Sequence, residues 1–309
     1  MVTRRLFLQL LGCTLLVAIG AAGCQRPRAR VPGGDGSPSP GGAPAAGAAE
    51  LLTLPSGGET RQYLLHVPPD LSGTSPVALV VNIHGFTSNA FEQERLSGMS
   101  AKADAEGFIV VYPQALGDPP TWRVGPLEGG AADQAFITDL IAHLATQFPI
   151  DPRRIFATGI SNGGGMVDRL VCEQAGLFAA AGPVSGAYLF GGMCTPTRPV
   201  PIVAFHGTAD QIVPYEGQGR VLPAIPLWAA AWADRNTCAS GPSVVNQHGE
   251  VTAEAWSGCS QGADVVLYTV EGRGHSWPGA SLLPGLDLAT QDIDATDVIW
   301  DFFKTHPMP

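Results

Sequence analysis

The sequence predicts an α/β domain built on a doubly wound, mostly parallel sheet with helices on both faces. Short apolar runs alternate with longer amphipathic stretches from about residue 60 to the end of the chain. Parallel strands joined by crossover helices require that alternation. No internal repeat is present, so residues 50–309 are predicted to form one domain of about 260 residues rather than two.

The strands follow in chain order. The first, Arg61–Val67, alternates apolar and polar residues, as a half-exposed strand does. Six further runs are almost continuously apolar and predict buried strands: Val77–Ile83, Phe108–Tyr112, Ile155–Gly159, Ala179–Val184, Ile202–Phe205 and Val265–Val270. Segments with helical spacing or composition lie between and after these strands and predict helices: Phe91–Glu106, Asp133–Phe148, Gly164–Gln174, Pro226–Asn236 and Asp292–His306.

The first 23 residues predict an export signal. Arg4 and Arg5 precede an apolar run, Leu10–Ala22, of about 13 residues, which is too short for a bilayer core that needs about 20. The paired arginines followed by Leu6–Leu8 resemble a twin-arginine signal, and the alternative is an ordinary positively charged leader.

Ala21–Cys24 resembles a bacterial lipoprotein box, in which Cys24 becomes the acylated first residue of the mature chain. The alternative is cleavage by ordinary signal peptidase and release of a soluble protein. Residues 24–49 are rich in Pro, Gly and Ala and predict a disordered tether. We therefore expect an exported protein, anchored to a membrane through a lipid on Cys24.

The charge distribution excludes one class of function. The formal net charge is −10, and residues 1–49 hold five arginines and one aspartate, a net +4 that leaves −14 for residues 50–309. Nucleic-acid binding depends on cationic surface, so we exclude a nucleic-acid partner.

Four cysteines lie in the predicted domain: Cys172, Cys194, Cys238 and Cys259. None belongs to a Cys-x-x-Cys pair, so we predict no metal site and no cofactor. In an exported chain an even number of cysteines favours disulfides over buried free thiols. Three pairings are possible, and the two local bridges would each close a loop of about 20 residues and contribute roughly 3 kcal/mol.

The candidate nucleophile is Ser161. Gly159–Gly163 fits Gly-x-Ser-x-Gly, a pattern that is weak evidence in a chain with 39 glycines. Its context is more specific, because a predicted strand leads into it and a predicted helix follows, as in the nucleophile elbow of an α/β-hydrolase. The alternative is a glycine-rich turn without chemistry.

A serine nucleophile needs a base, and the base needs an orienting acid. In α/β-hydrolases the acid and the base follow the serine in that order, each after a later strand. Asp210 follows the strand Ile202–Phe205, and His275 follows Val265–Val270, so we predict Asp210 as the acid and His275 as the base. A turn-capping role is the alternative for Asp210, and His248, in a segment expected to be irregular, competes with His275.

The oxyanion of a tetrahedral intermediate needs backbone donors. We predict the amides of Asn162, directly after the nucleophile, and of Phe86, in the His84-Gly85-Phe86 loop after an early strand. Trp122, Tyr215 and Trp277 are predicted to line an aromatic substrate pocket, with ordinary packing as the alternative.

Three segments together resemble the polyhydroxybutyrate depolymerase and feruloyl esterase family of secreted α/β-hydrolases: Ser161–Met166, His206–Asp210 followed by Val213–Tyr215, and Gly274–Gly279. The resemblance spans roughly Leu64 to Pro307. It implies an α/β-hydrolase fold and a Ser161, Asp210, His275 triad, and it supports the bridges Cys172–Cys194 and Cys238–Cys259. Esterase lipoproteins of that family share the lipobox arrangement.

The chain departs from the family pattern at one place. The family often has Cys after the early His-Gly, where this chain has Phe86, which leaves the oxyanion geometry and one family disulfide open.

The function predicted is hydrolysis of carboxylic esters through an acyl-enzyme, on short-chain, feruloyl or acetyl, or polyhydroxyalkanoate-type esters. Small or oligomeric esters are the only partners predicted besides the membrane, and no protein partner is expected. The alternative from another class is a catalytically silent surface lipoprotein that acts as a binding module.

Overall fold

The computed structural model of the protein describes residues 50–309, except for 72–74, 126–129, 190–193 and 282–286. The predicted export signal, the acylated Cys24 and the tether over 24–49 lie outside the described residues. The described strands are β1 (Glu50–Ser56), β2 (Glu59–His66), β3 (Val77–Ile83), β4 (Ile109–Gln114), β5 (Ile150–Ile160), β6 (Ala180–Val184), β7 (Ile202–Gly207), β8 (Ser240–His248), β9 (Val251–Ser257) and β10 (Val265–Val270). The described α-helices are α1 (Ala90–Ser97), α2 (Met99–Glu106), α3 (Ala131–Gln147), α4 (Asn162–Glu173), α5 (Ile225–Arg235) and α6 (Ala295–Thr305).

The strands form one sheet in the order β1-β2-β4-β3-β5-β6-β7-β10-β9-β8. The central strands, from β4 to β10 in that order, are parallel to their neighbours. Antiparallel strands extend the sheet at both ends. The carboxyl ends of parallel strands meet at one edge of a sheet, so the loops after β3, β5, β7 and β10 gather there.

Helices cover both faces of the sheet. On one face α3, α4 and α5 pack against the strands through buried side chains such as Phe136, Leu170 and Trp232. On the other face α1, α2 and α6 contribute Leu96, Ala103 and Ile299, among others. Strands β3 and β7 are buried along their whole length as a result. The predicted fold class, a doubly wound and mostly parallel sheet with helices on both faces, is confirmed.

The prediction of one helix over Phe91–Glu106 is wrong. Two helices occupy this stretch, because Gly98 adopts a left-handed conformation (φ 61°) and ends α1, with its N–H donating to the carbonyl of Glu94. Glycine reaches this conformation without the steric cost of a Cβ, so it is the usual residue at such a helix end.

Three strands were not predicted: β1, β8 and β9. All nine residues of β8 are exposed, so this edge strand has no apolar run to reveal it. It forms by antiparallel pairing with β9, from Ser240 opposite Ser257 to His248 opposite Val251. His248 therefore ends a strand and does not lie in an irregular segment.

Two disulfides are present, Cys172–Cys194 and Cys238–Cys259. Cys172 lies in α4, directly after the predicted nucleophile elbow, and Cys238 follows α5. These are the two local pairings. Within the described part of the chain no helix is both long and apolar enough to cross a bilayer.

Candidate active site

The turn between β5 and α4 holds Ser161 in a strained backbone conformation. Its φ is 59° and its ψ is −122°, in a region that costs a residue with a side chain about 1–3 kcal/mol. Three backbone hydrogen bonds hold it there: the Ser161 N–H donates to Val184 O at 3.0 Å, and its carbonyl accepts from Gly165 N at 2.9 Å and Ala187 N at 3.0 Å. Such a sharp turn lifts a serine hydroxyl out at the sheet edge.

Glycines surround the turn because neighbouring backbone leaves no space for a side chain. A Cβ on Gly159 would lie 2.5 Å from Ile83 O, and one on Gly164 would lie 2.8 Å from Gly186 Cα. Cβ atoms on Gly163 and Gly165 would collide with the carbonyls of Ile83 and Ala187. These glycines are therefore a condition for the conformation of Ser161.

Asp210, in the loop after β7, is 4% exposed and uses both carboxylate oxygens. Oδ1 accepts hydrogen bonds from Ile212 N and Val213 N, both at 2.9 Å. Oδ2 lies 2.8 Å from His275 Nδ1 and 3.3 Å from His206 Nε2. Burial alone would raise the pKa of Asp210, but the hydrogen bonds from His206, His275 and Val213 lower this pKa far below its usual range. Asp210 is thus a carboxylate at neutral pH.

His275 follows β10 and is 3% exposed. Its Nδ1 donates to Asp210, which leaves Nε2 as the unprotonated nitrogen of the neutral ring. Its backbone is held by Asp287, whose carboxylate accepts from His275 N at 2.7 Å and whose N–H donates to His275 O at 3.2 Å. The acid and the base are thus in direct contact, and the base is fixed at three points.

A short series of contacts connects Ser161 to the loop of His275. The Ser161 turn is bonded to Val184 at the end of β6, and the next residue, Ser185, donates from Oγ to Ser276 O at 3.4 Å. β6 lies between β5 and β7 in the sheet, and β10 is the next strand. The three predicted triad residues therefore lie at the carboxyl ends of β5, β7 and β10, on the same edge of the sheet.

The loop after β3 lies against the serine. A Cβ on Gly85 would be 3.3 Å from Ser161 Cβ, so any residue other than glycine would require its neighbours to shift. Phe86 follows with its side chain 54% exposed. Asn162, the residue after Ser161, begins α4. Of the two residues whose amides are predicted oxyanion donors, one therefore adjoins Ser161 in the chain and the other follows a glycine that packs against it.

Two of the predicted pocket aromatics do not line a surface. Trp122 and Trp277 are each 1% exposed, which leaves no surface for a substrate. Trp122 donates from its indole nitrogen to His84 O, and Trp277 donates to Thr296 Oγ1. Tyr215 is half-buried, with its hydroxyl 2.8 Å from Thr269 Oγ1, and its pocket role stays a prediction.

An open cleft of about 450 Å³ is lined by Ala209 and Gln211, which adjoin Asp210 in the chain, and by Gly274, which precedes His275. Its wall combines exposed apolar side chains, Ile212 and Leu288, with the polar Arg273 and Asp287. Neither Ile212 nor Leu288 belongs to a motif, so no sequence pattern indicated this surface. Among the described residues no group of His, Cys, Asp or Glu side chains is arranged to hold a metal ion.

Two contacts of the acid and the base were missed from the sequence. Asp287 is 12 residues beyond His275 and belongs to no motif, so only the folded loop reveals its contact with the base. His206, in β7, is 2% exposed and contacts Asp210. Its place within the His-Gly-x-x-Asp segment was the available signal that it would contact Asp210.

Comparison with solved structures identifies the fold. The chain is similar to an acetyl xylan esterase from Aspergillus awamori, with a TM-score of 0.60 and 18% sequence identity over 84% of this chain and 99% of that one. At this level of identity the similarity defines the α/β-hydrolase fold and no more.

Sequence comparison identifies the family. A family model described as Esterase PHB depolymerase matches residues 61–213. NocK of Nocardia uniformis subsp. tsuyamanensis, provisionally named an esterase, is 30% identical over 72% of this chain and 72% of its own length. Feruloyl esterase B of Piromyces equi is 31% identical over 70% of this chain, which spans only 42% of that relative's length. The chain belongs to the polyhydroxybutyrate depolymerase and feruloyl esterase family of carboxylic-ester hydrolases.

Proposed function

We propose that the protein is a serine carboxylic-ester hydrolase that acts through an acyl-enzyme. The observation that carries the proposal is the 2.8 Å contact between His275 Nδ1 and Asp210 Oδ2, at the same sheet edge as the strained turn of Ser161. This contact leaves Nε2 of His275 as the nitrogen that takes a proton. A serine in such a turn, a base and a buried carboxylate are the groups that acyl transfer requires.

The reaction proceeds in two halves. His275 Nε2 removes the proton of Ser161 Oγ while Oγ forms a bond to the ester carbonyl carbon. The resulting oxyanion accepts hydrogen bonds from the amides of Phe86 and Asn162. The bond to the alcohol oxygen then breaks, and His275 gives its proton to the departing alcohol. Water repeats the sequence on the acyl-enzyme, releasing the acid and free Ser161, while Asp210 stabilises the imidazolium in both halves.

The proposed substrates are neutral esters: short-chain, feruloyl or acetyl, or polyhydroxyalkanoate-type. The name of the Piromyces relative supports the feruloyl class. The net charge of −14 over residues 50–309 disfavours polyanions, and the cleft beside His275 offers both apolar and hydrogen-bonding side chains. Parallel assays on methyl ferulate, acetylated xylan, hydroxybutyrate oligomers and p-nitrophenyl butyrate rank these classes. Absence of turnover on all four contradicts the proposal.

Substitution of the nucleophile tests the mechanism directly. Ser161→Ala removes the attacking oxygen, and kcat on p-nitrophenyl butyrate is expected to fall by about 10⁶-fold, as when the nucleophile of a triad is removed. A fluorophosphonate probe is expected to label the wild type and not this variant. Ser100→Ala, whose hydroxyl bonds Glu94 on the α1–α2 side of the sheet, is the matched control and should keep both properties. Turnover by Ser161→Ala at the wild-type rate contradicts the mechanism, and an unlabelled wild type favours the silent binding module.

We also propose that residues 50–309 form one catalytic domain, that residues 1–23 direct export, and that Cys24 carries a lipid anchor at the end of the 24–49 tether. The motifs around Arg4, Arg5 and Cys24 support this, as do the two disulfides, because disulfides persist in oxidising compartments.

Cells fed labelled palmitate should yield labelled wild-type protein in the membrane fraction. Cys24→Ala should lose the label and leave that fraction. An unlabelled wild type contradicts the lipid anchor.

A further inference from the structure

Two buried side chains, His84 and Trp122, hold the loop that carries Phe86. His84 is fully buried and Trp122 is 1% exposed, and their ring centroids lie 5.4 Å apart. His84 Nδ1 lies 2.7 Å from Gly85 O, and Trp122 Nε1 donates to His84 O at 3.0 Å. Both carbonyls that precede Phe86 along the chain are therefore bonded to one of these two rings.

The hydrogen bonds of His84 define which nitrogen carries its proton. The backbone N–H of Ala115 donates to His84 Nε2 at 3.0 Å, and a backbone N–H can only donate, so Nε2 must be the acceptor. The proton of the neutral ring then lies on Nδ1, which donates to Gly85 O. Burial lowers the pKa of His84 to about 4, so the ring stays in this neutral form at neutral pH.

The bond to Gly85 O determines the direction of the next amide. In a trans peptide the carbonyl and the following N–H point in opposite directions. Because the Gly85 carbonyl points toward the imidazole of His84, the Phe86 N–H points away from this imidazole. Gly85 in the same loop lies against Ser161. The backbone N–H of the following residue, Thr87, already donates to Pro120 O at 3.0 Å. Of the Phe86 and Thr87 amides, it is therefore the Phe86 N–H that can donate to a ligand.

Trp122 also holds the residue that carries the second donor. The side chain of Asn162 makes a pair of hydrogen bonds with the Trp122 backbone: Oδ1 accepts from Trp122 N at 2.7 Å, and Nδ2 donates to Trp122 O at 3.0 Å. Trp122 is thus bonded to Asn162 through its main chain and to His84 through its indole. The start of α4 and the loop after β3 are therefore connected through Trp122.

We propose that His84 and Trp122 are positioning residues of the oxyanion hole: the neutral imidazole and the indole fix the peptides on either side of Gly85 so that the amides of Phe86 and Asn162 converge beside Ser161. This inference rests on the proposed function. Neither ring touches the ester, so their effect is on the transition state, in which the oxyanion forms, rather than on substrate binding.

Two substitutions of His84 separate positioning from packing. In His84→Asn the amide nitrogen occupies nearly the place of Nδ1 and can still donate to Gly85 O. In His84→Gln the longer side chain reaches instead toward the place of Nε2 and Ala115 N. His84→Gln is expected to lower kcat on p-nitrophenyl butyrate about 100-fold, with KM nearly unchanged. This loss is the smallest that is typical when an enzyme loses one oxyanion donor. His84→Asn should recover most of that loss.

A transition-state analogue gives a second measurement. A trifluoromethyl ketone forms the oxyanion on the enzyme, so its inhibition constant should rise in His84→Gln by the same factor as kcat/KM falls. Trp122→Phe removes only the indole donor and keeps most of the ring, and it should lower kcat about tenfold, as loss of one supporting hydrogen bond does. If His84→Gln does not fold, the kcat values of Trp122→Phe and His84→Asn, each compared with the wild type, test the proposal instead.

The control is His66→Gln, which removes a buried imidazole bonded to Asp104 away from the site. It should keep the wild-type kcat. Equal kcat losses in His84→Asn and His84→Gln, a loss confined to KM, or an equal loss in His66→Gln would overturn the positioning role. These outcomes are separable from failure of the proposed function, because in that case either the wild type turns over none of the four esters or Ser161→Ala stays active, whatever residue 84 is.

Discussion

The two halves of the candidate site are held by different kinds of interaction. The nucleophile half, Ser161 with the Gly85 loop, depends on close backbone packing at glycines and on hydrogen bonds from neutral rings. The acid–base half depends on carboxylates: Asp210 binds two imidazoles and two amides, and Asp287 binds the His275 backbone. The first half should therefore be sensitive to added volume or added charge, and the second to the loss of charge.

Among the residues that hold the nucleophile and the base in place, the largest effect is expected in the acid–base half. Asp210→Asn keeps the shape of the side chain but removes the charge that orients and stabilises the imidazolium of His275. We expect kcat to fall about 10⁴-fold, as when a triad carboxylate becomes an amide. Steady-state assays on p-nitrophenyl butyrate measure the loss, with thermal unfolding to verify the fold. Asp301→Asn, at an exposed carboxylate paired with Lys304, is the control. A folded Asp210→Asn variant that keeps a tenth of the activity contradicts the role of Asp210.

The nucleophile half should respond to acid through His84. The pKa of this group is about 4 in the folded protein and about 6.5 in the unfolded chain, so between these values the unfolded state binds the additional proton. The stability of the folded state should therefore fall as the pH drops from 6.5 to 4, by about 3 kcal/mol from this group alone. Urea unfolding of the wild type and of His84→Asn at pH 7 and pH 4.5 measures it. Equal pH dependence in both proteins contradicts the assignment.

The smallest effect is expected at Asp287. Asp287→Ala removes the acceptor of the His275 amide, and a hydrogen bond to a charged group contributes about 1.5 kcal/mol, which corresponds to roughly a tenfold loss of kcat. Asp287→Asn keeps an oxygen acceptor and should lose less. Asp292→Ala removes a similar contact, to Glu250 N, outside the site and serves as the control. If Asp287→Ala matches this control, the carboxylate of Asp287 does not position the base.

The sequence allowed prediction of the features that depend on local pattern. The apolar runs predicted the central parallel strands, and the positions of Ser161, Asp210 and His275, each shortly after one of these runs, predicted that all three lie at one edge of the sheet. β8 was not predicted, because its exposed residues carry no burial pattern and its conformation comes from pairing with β9. Gly98 ends α1 although the polar and apolar pattern continues through it, so the helix break depends on backbone conformation.

Contacts between loops that are distant in the chain could not be predicted from the sequence, for another reason. Trp122 was predicted to line an aromatic pocket together with Tyr215 and Trp277, with ordinary packing as the alternative. Its position is instead fixed by Asn162, 40 residues away, and by the carbonyl of His84, 38 residues away. No periodicity relates such positions, so a buried tryptophan and a pocket tryptophan look alike until the chain is folded.

The disulfide connectivity has a consequence for how the domain matures. The four cysteines of the described chain pair in the order in which they occur, Cys172 with Cys194 and Cys238 with Cys259, and the two loops neither cross nor enclose one another. If the cysteines are oxidised in the order in which they occur along the chain, each bridge therefore forms between the correct partners at the first attempt. Under that condition, oxidation of the domain needs no later exchange of partners by an isomerase.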